Sequence, residues 1–381
     1  MCKPNIFKFA TGELSQDAFI CWSLAWGQQS EDRQMRQFGL SLLNMMLGKH
    51  GRNVEDLDRI TIVDVKNQVD SIDVLVKFRI DEKEFELIIE DKVNTMMHSD
   101  QIKRYFDDRI KQSPDKIILG IYYKSGFIFA DEEDKLDALR DNHYPVKSLD
   151  KESILNWMSQ HVELTNSDIF HNYYGYMKEK FDSEQATLQN IHSSNFKNVE
   201  ESLKTQVGQF TAIKSIFGNI PVNRGNSSGK PWVHYAFKNG NRYGTLPDRL
   251  FYRMDKRKNG FYISLRQYRN LKKDGRQKDT AYTNEQLRHA KLERLCKLRQ
   301  IFDEVLAEIE KDFPDRYIES GKRTTDRRGN NESEVGVFYF TEENTVHRFG
   351  QFFEIFHNRF CDRVDEVFGT QGLKRMESVR N

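Results

Sequence analysis

Cysteine is scarce in this chain: four residues in 381, at positions 2, 21, 296 and 361. Their spacing fits neither a zinc site nor a disulfide framework, which points to a reducing compartment. No apolar run approaches the ~20 residues that a membrane helix needs. The N-terminal stretch MCKPNIFKFATGELSQ has lysines but no sustained apolar region, so a secretory signal is not expected. The expected location is cytoplasmic, away from any membrane. The ten histidines include no HExxH pair, which argues against a zincin. No GxxxxGK[ST] or GxGxxG motif follows a strand, and GNSSGK at 225–230 lacks P-loop spacing and reads as a loop.

Against these absences stand 38% hydrophobic and 31% charged residues, enough for ordinary cores in a chain whose length suggests two domains. The net charge of +1 hides an asymmetry. Residues 1–180 hold 24 Lys and Arg against 31 Asp and Glu, a net of −7, whereas residues 221–280 hold 15 against 4, a net of +11. A basic block of that size is a candidate for phosphate contacts, the plainer alternative being a solvated basic surface.

Apolar spacing predicts a helix over 15–47 with Ser15 as its cap, then strands at 60–69, 71–80 and 85–93. A helix at 99–112 follows, capped by Ser99 and ended by Pro114, then a strand at 116–129 and a last strand running into a helix over 143–161. This order, α-β-β-β-α-β-β-α, makes residues 1–180 an α/β sheet domain. Residues 181–381 are expected to form a basic α+β domain. Its helices are placed at 196–217, 284–312 and 345–367, its loop at 221–231, and its strands at 232–238, 248–254, 260–268 and 335–340.

The apolar run Leu87, Ile88, Ile89 ends directly in Glu90, Asp91 and Lys92. If DEKE (81–84) is a four-residue turn, Val76 faces Ile89, Phe78 faces Leu87 and Ile80 faces Phe85, so every pair on that face is apolar. The same register sets Asp73 opposite Lys92, with Glu90 as its diagonal neighbour about 7–8 Å away, within reach of one shared divalent ion. Period-2 alternation puts Asp91 on the other face. Taken singly, each residue has a plainer reading: a solvated strand end, a surface Gln101, a core Tyr105.

Ser71-Ile72-Asp73, then Glu90-Asp91-Lys92, then a helix carrying Gln101 through Tyr105, together resemble the PD-(D/E)xK nuclease superfamily, and the last element resembles the QxxxY helix of its RecB-like members. TGELSQDAFICWSLAWG resembles the N-terminal helix of a bacterial subgroup. Ile72 stands where the name-giving proline would be. The resemblance covers about residues 6–160 and implies a restriction-endonuclease-like αβββαβ mixed sheet. It also implies a catalytic set of Asp73, Glu90, Lys92, Gln101 and Tyr105. Mg²⁺ or Mn²⁺ would be held by Asp73, Glu90, the Asp91 carbonyl and Glu13, since hard oxygen donors suit Mg²⁺.

In the C-terminal half, basic residues interleave with aromatics, a composition suited to backbone contact and base stacking. Arg253, Lys256, Arg257, Lys258, Arg266, Arg269, Lys272 and Lys273 are the expected exposed contacts, with 321–331 as a second basic loop. The expectation is therefore a metal-dependent nuclease acting on DNA, with phage defence a role that the resemblance suggests. Two alternatives stay open, a catalytically inactive nucleic-acid-binding module and a regulatory protein that senses a partner or ligand. Whether the chain is a monomer or a homodimer also stays open.

Overall fold

The computed structural model describes residues 4–376 except 11, 30, 94, 96–99, 219, 228, 241–243, 272–282, 325 and 327–329. The chain divides into two compact units, Met1–Glu184 and Gln185–Asn381.

The first unit is a five-stranded mixed sheet in the order β1-β2-β3-β4-β5. Strands β1 (Ile60–Val69), β2 (Ile72–Ile80) and β3 (Lys83–Lys92) form an antiparallel meander. β4 (Ile117–Lys124) and β5 (Val146–Asp150) add in parallel beside β3. Parallel neighbours need crossovers, and these are α3 (Gln101–Gln112) and α4 (Ala130–Asp141). Alternation along β2 and β3 splits the core. Val74, Val76, Leu87 and Ile89 pack toward α1 (Glu13–Ala25), α2 (Arg33–Lys49), α5 (Lys151–Ser159) and α6 (Asp168–Asn190). Leu75 and Ile88 instead meet Ile102, Tyr105 and Phe106 of α3. Gly120 on β4 makes that second contact possible, because a Cβ there would lie 2.7 Å from the Phe106 ring.

Several expectations change. The helix expected over 15–47 is broken into α1 and α2 by a 3-10 turn at Trp26–Gln28, and Ser15 lies inside α1, whose N-cap is Gly12. The expected Ser99 cap lies outside the described residues. The strand expected to reach 129 stops at Lys124, and α4 occupies a stretch assigned to no element. There the acidic first turn, Asp131 to Glu133, suits a helix N-terminus, and Glu132 accepts a hydrogen bond from the Phe129 backbone amide at 3.1 Å.

The second unit is a fully antiparallel sheet in the order β10-β9-β8-β7-β6. Its strands are β6 (Asn223–Ser227), β7 (Lys230–Lys238), β8 (Arg249–Arg257), β9 (Gly260–Tyr268) and β10 (Glu332–Tyr339), so β6 falls inside the expected 221–231 loop. The helix expected at 196–217 is two: α7 (Phe196–Leu203) and α8 (Gln206–Phe217), with Thr205 capping the second. α9 (Asn284–Asp312) and α10 (Val346–Phe368) complete the unit. Its core is rich in phenylalanine: Phe349, Phe352, Phe353, Phe356 and Phe360 of α10 are all fully buried.

Candidate active site

The β2–β3 hairpin positions the site, and its register differs from expectation by two residues. Ile80 pairs with Lys83, Phe78 with Phe85 and Val74 with Ile89, so the turn is Asp81-Glu82 alone. Asp81 takes φ 53°, a left-handed conformation that aspartate tolerates better than most residues. The shorter turn still satisfies the pattern, since Phe78 and Phe85 stack with ring centroids 5.1 Å apart. A shift of two keeps every side chain on its face. Continuing the register by one pair sets Asp73 across from Glu90, with Lys92 the diagonal neighbour, the reverse of the expected roles.

The three side chains converge as a result. Lys92 Nζ lies 2.6 Å from Glu90 Oε1 and 3.3 Å from Asp73 Oδ2, and donates to the Asp91 carbonyl at 2.7 Å. Asp73 Oδ2 also accepts the Asp91 backbone amide at 2.9 Å. Glu13, the first residue of α1, brings Oε2 to 3.9 Å from the same ammonium, and its other oxygen accepts from the Thr95 hydroxyl. Four oxygens on three segments thus surround one nitrogen.

Burial sets the electrostatics. Glu90 is 1% exposed, and desolvation pushes its carboxyl up to about 7 despite the opposing pull of Lys92. For Lys92, desolvation favours the neutral amine, but Glu90, Asp73 and Glu13 outweigh it and hold the pKa above its ordinary value. Lys92 is therefore a cation here. Gln101 donates to Glu90 Oε2 at 3.3 Å and to the Tyr105 hydroxyl, one turn further along α3. Tyr105 is 2% exposed, so its ring belongs to the core and its hydroxyl fixes Gln101.

The Asp91 side chain goes to the opposite face. It accepts from Gln16 of α1 and faces Asp17; burial raises both carboxyls, and a hydrogen bond between the two side chains raises Asp91 further while lowering Asp17. Gln68 donates to Asp17 at 3.0 Å and to Asp73 at 3.3 Å, joining the two faces at the strand ends. Gln16, Asp17, Gln68 and Thr95 escaped the sequence reading. The available signal was Gln16 and Asp17 in the same helix as buried Phe19, Ile20 and Leu24.

Whether these residues suit a divalent cation can be judged from the donor set. Glu90 Oε1 is buried with the Lys92 ammonium as its partner at 2.6 Å, and the same ammonium draws two further hard oxygens to that point, Asp73 Oδ2 and the Asp91 carbonyl. Among the described residues no three His, Cys, Asp or Glu side chains form a ready metal cluster. Mg²⁺ keeps several waters and needs one or two carboxylates, so the set fits it.

The expected basic contacts fare differently. Arg253, Arg257 and Arg266 are half-buried and ion-paired rather than exposed. Arg253 lies 3.3 Å from Glu332, while Arg257 pairs with Glu334 and Arg266 with Glu332. Arg269 donates to the Pro247 carbonyl at 2.9 Å. These acids come from β10, which pairs with β9, so the cations are neutralised within the sheet. Lys256 and Lys258 are exposed, and Lys272 and Lys273 lie outside the described residues.

Residues 4–185 match a family model described as the PD-(D/E)XK nuclease superfamily. No curated protein and no solved structure matches the chain. Among the described residues no helix is long and apolar enough to cross a membrane.

Proposed function

The N-terminal half of the chain being a PD-(D/E)XK nuclease superfamily domain, we propose that this protein hydrolyses phosphodiester bonds in DNA, with Mg²⁺ or Mn²⁺ held by Asp73 and Glu90. The observation that carries the reading is the meeting of Asp73, Glu90 and the Asp91 carbonyl on one buried point, each within 3.3 Å of Lys92 Nζ. A bound divalent cation supplies polarisation of the scissile phosphate and a water of lowered pKa.

The protein's own groups do the remaining work. Asp73 and Glu90 hold the cation, the Asp91 carbonyl completes the oxygen set, and Glu13 adds negative charge from α1. Lys92 is charged, so it does not accept a proton; it stabilises the negative charge that develops on the phosphoryl oxygens. Gln101 fixes the Glu90 carboxylate, and Tyr105 fixes Gln101. The C-terminal unit engages the substrate.

The test is incubation of purified protein with supercoiled and linear DNA, and with RNA, in Mg²⁺ or Mn²⁺. Cleavage of DNA that EDTA stops supports the reading. A folded protein that leaves all of these substrates intact overturns it.

A further inference from the structure

One side of the C-terminal sheet meets the helices. Tyr252 on that side lies 4.6 Å from the Phe217 ring of α8 and 5.1 Å from Phe353 of α10. Alternation sends the residues between to the other side. Five cations point there, Lys230 and Arg249, Arg253, Arg257 and Arg266, against three acids, Asp255, Glu332 and Glu334. The acids are unevenly placed. Glu332 and Glu334 stand on β10, where Gly321 donates to the Val337 carbonyl at 2.7 Å and Thr324 to Glu334 at 2.8 Å, so residues 321–324 run along that edge.

On β7 and β8 the cations form a strip rather than a cluster: His234 pairs with Arg253, so Lys230 and Arg249 stand toward opposite ends of the strand pair, and Arg253 between them is held by Asp255 at 3.1 Å and Glu332 at 3.3 Å. Among the described residues Arg249 has no carboxylate within ion-pair distance. Its Nη2 instead donates to His234 Nε2 at 3.0 Å, which requires a neutral imidazole. Burial, with Arg249 and Arg253 beside it, holds His234 down to about 4. Trp232 stacks parallel to His234 at 5.3 Å. The guanidinium of Arg253 sits 5.4 Å from the Trp232 ring and that of Arg249 5.6 Å from Phe251. The rings hold both guanidinium planes in place, so less freedom is lost on binding. A half-buried cation without a counter-charge is costly, and an incoming anion would remove the cost.

We propose that this strip, running along β7 and β8 from Lys230 past Trp232 and His234 to Arg249, binds the phosphodiester backbone of a nucleic-acid strand. The inference rests on the nuclease reading for the class of ligand. Guanidinium forks match phosphate oxygens in pairs. Cations beside aromatic rings on a sheet face suit a strand that presents phosphate and base together.

The experiment is fluorescence anisotropy of a labelled single-stranded DNA oligonucleotide titrated with full-length protein in EDTA, across a salt series. Wild type should bind, and Arg249→Gln should weaken binding by tenfold or more. The slope of log affinity against log salt should flatten by about 0.7 for the contact removed. Lys230→Gln, at an exposed position, should flatten it likewise without risk to the fold. No binding by wild type, unchanged binding in both variants, or displacement by polyglutamate as effective as by unlabelled DNA each overturns the proposal. Because EDTA removes any need for cleavage, a failure here leaves the nuclease reading standing, and the absence of cleavage would leave this result standing.

Discussion

Asp73 accepts the backbone amide of Asp91 at 2.9 Å through the same Oδ2 that lies 3.3 Å from Lys92 Nζ. One carboxylate oxygen thus secures the end of β3 and faces the catalytic candidate's charge. The site is held by the backbone as much as by ion pairing.

Replacing Glu90 or Lys92 by alanine should reduce DNA cleavage by at least about a hundredfold, the scale on which lost electrostatic stabilisation is felt. Binding of DNA in EDTA should stay within a few-fold of wild type. Cleavage that persists in both variants would remove these residues from the chemistry.

Lys92→Met should leave Glu90 buried without its counter-ion. Removing one partner of a buried pair costs about 3–5 kcal/mol. Thermal unfolding should therefore fall in temperature, and Mg²⁺ should recover more of the loss in this variant than it adds to wild type, since a cation then replaces the ammonium. Equal Mg²⁺ responses would contradict the oxygen set.

Gly120→Val should destabilise the first unit, because its Cβ would lie 2.7 Å from the Phe106 ring. Overpacking of this kind costs about 1–3 kcal/mol. Phe106→Leu in the same chain should restore part of it, which denaturant unfolding of the single and double variants would reveal as non-additivity.

In the second unit, His357 accepts from the Tyr252 hydroxyl at 3.1 Å and donates to the Lys374 carbonyl at 2.7 Å, a neutral ring with both nitrogens engaged. Burial holds its pKa down to about 4 from the usual 6.5. The unfolded chain therefore takes up a proton below pH 6.5 that the folded chain refuses. The stability tied to this ring is complete above 6.5 and falls as the pH drops toward 4, by up to about 3 kcal/mol. Urea unfolding of wild type and His357→Gln across this interval should show a shallower loss in the variant.

The site was legible in the sequence because alternation is robust. A register error of two exchanged the partners of Asp73 without moving any side chain off its face. Turn length was the unreadable part, since DEKE closes equally well as four residues or as Asp81-Glu82 with one left-handed aspartate. The roles of Gln16 and Asp17 depend on α1 crossing the far face of β3, which no local pattern encodes. The exposure of the basic residues was misjudged for a similar reason: beside Asp255, which is local to Arg253, the carboxylates that pair with Arg253, Arg257 and Arg266 are Glu332 and Glu334 of β10, distant in sequence and adjacent only once β9 pairs with it. The α4 helix was missed because ADEEDKLDALRD carries only two large apolar residues, Leu136 and Leu139, too few to mark a helical stripe.

The most direct measurement is anomalous diffraction from crystals of the protein grown with Mn²⁺. A peak is expected within ligand distance of Asp73 and Glu90 carboxylate oxygens, with the Lys92 ammonium displaced from between them. Crystals holding Mn²⁺ elsewhere, with that ammonium still seated against both carboxylates, would contradict it.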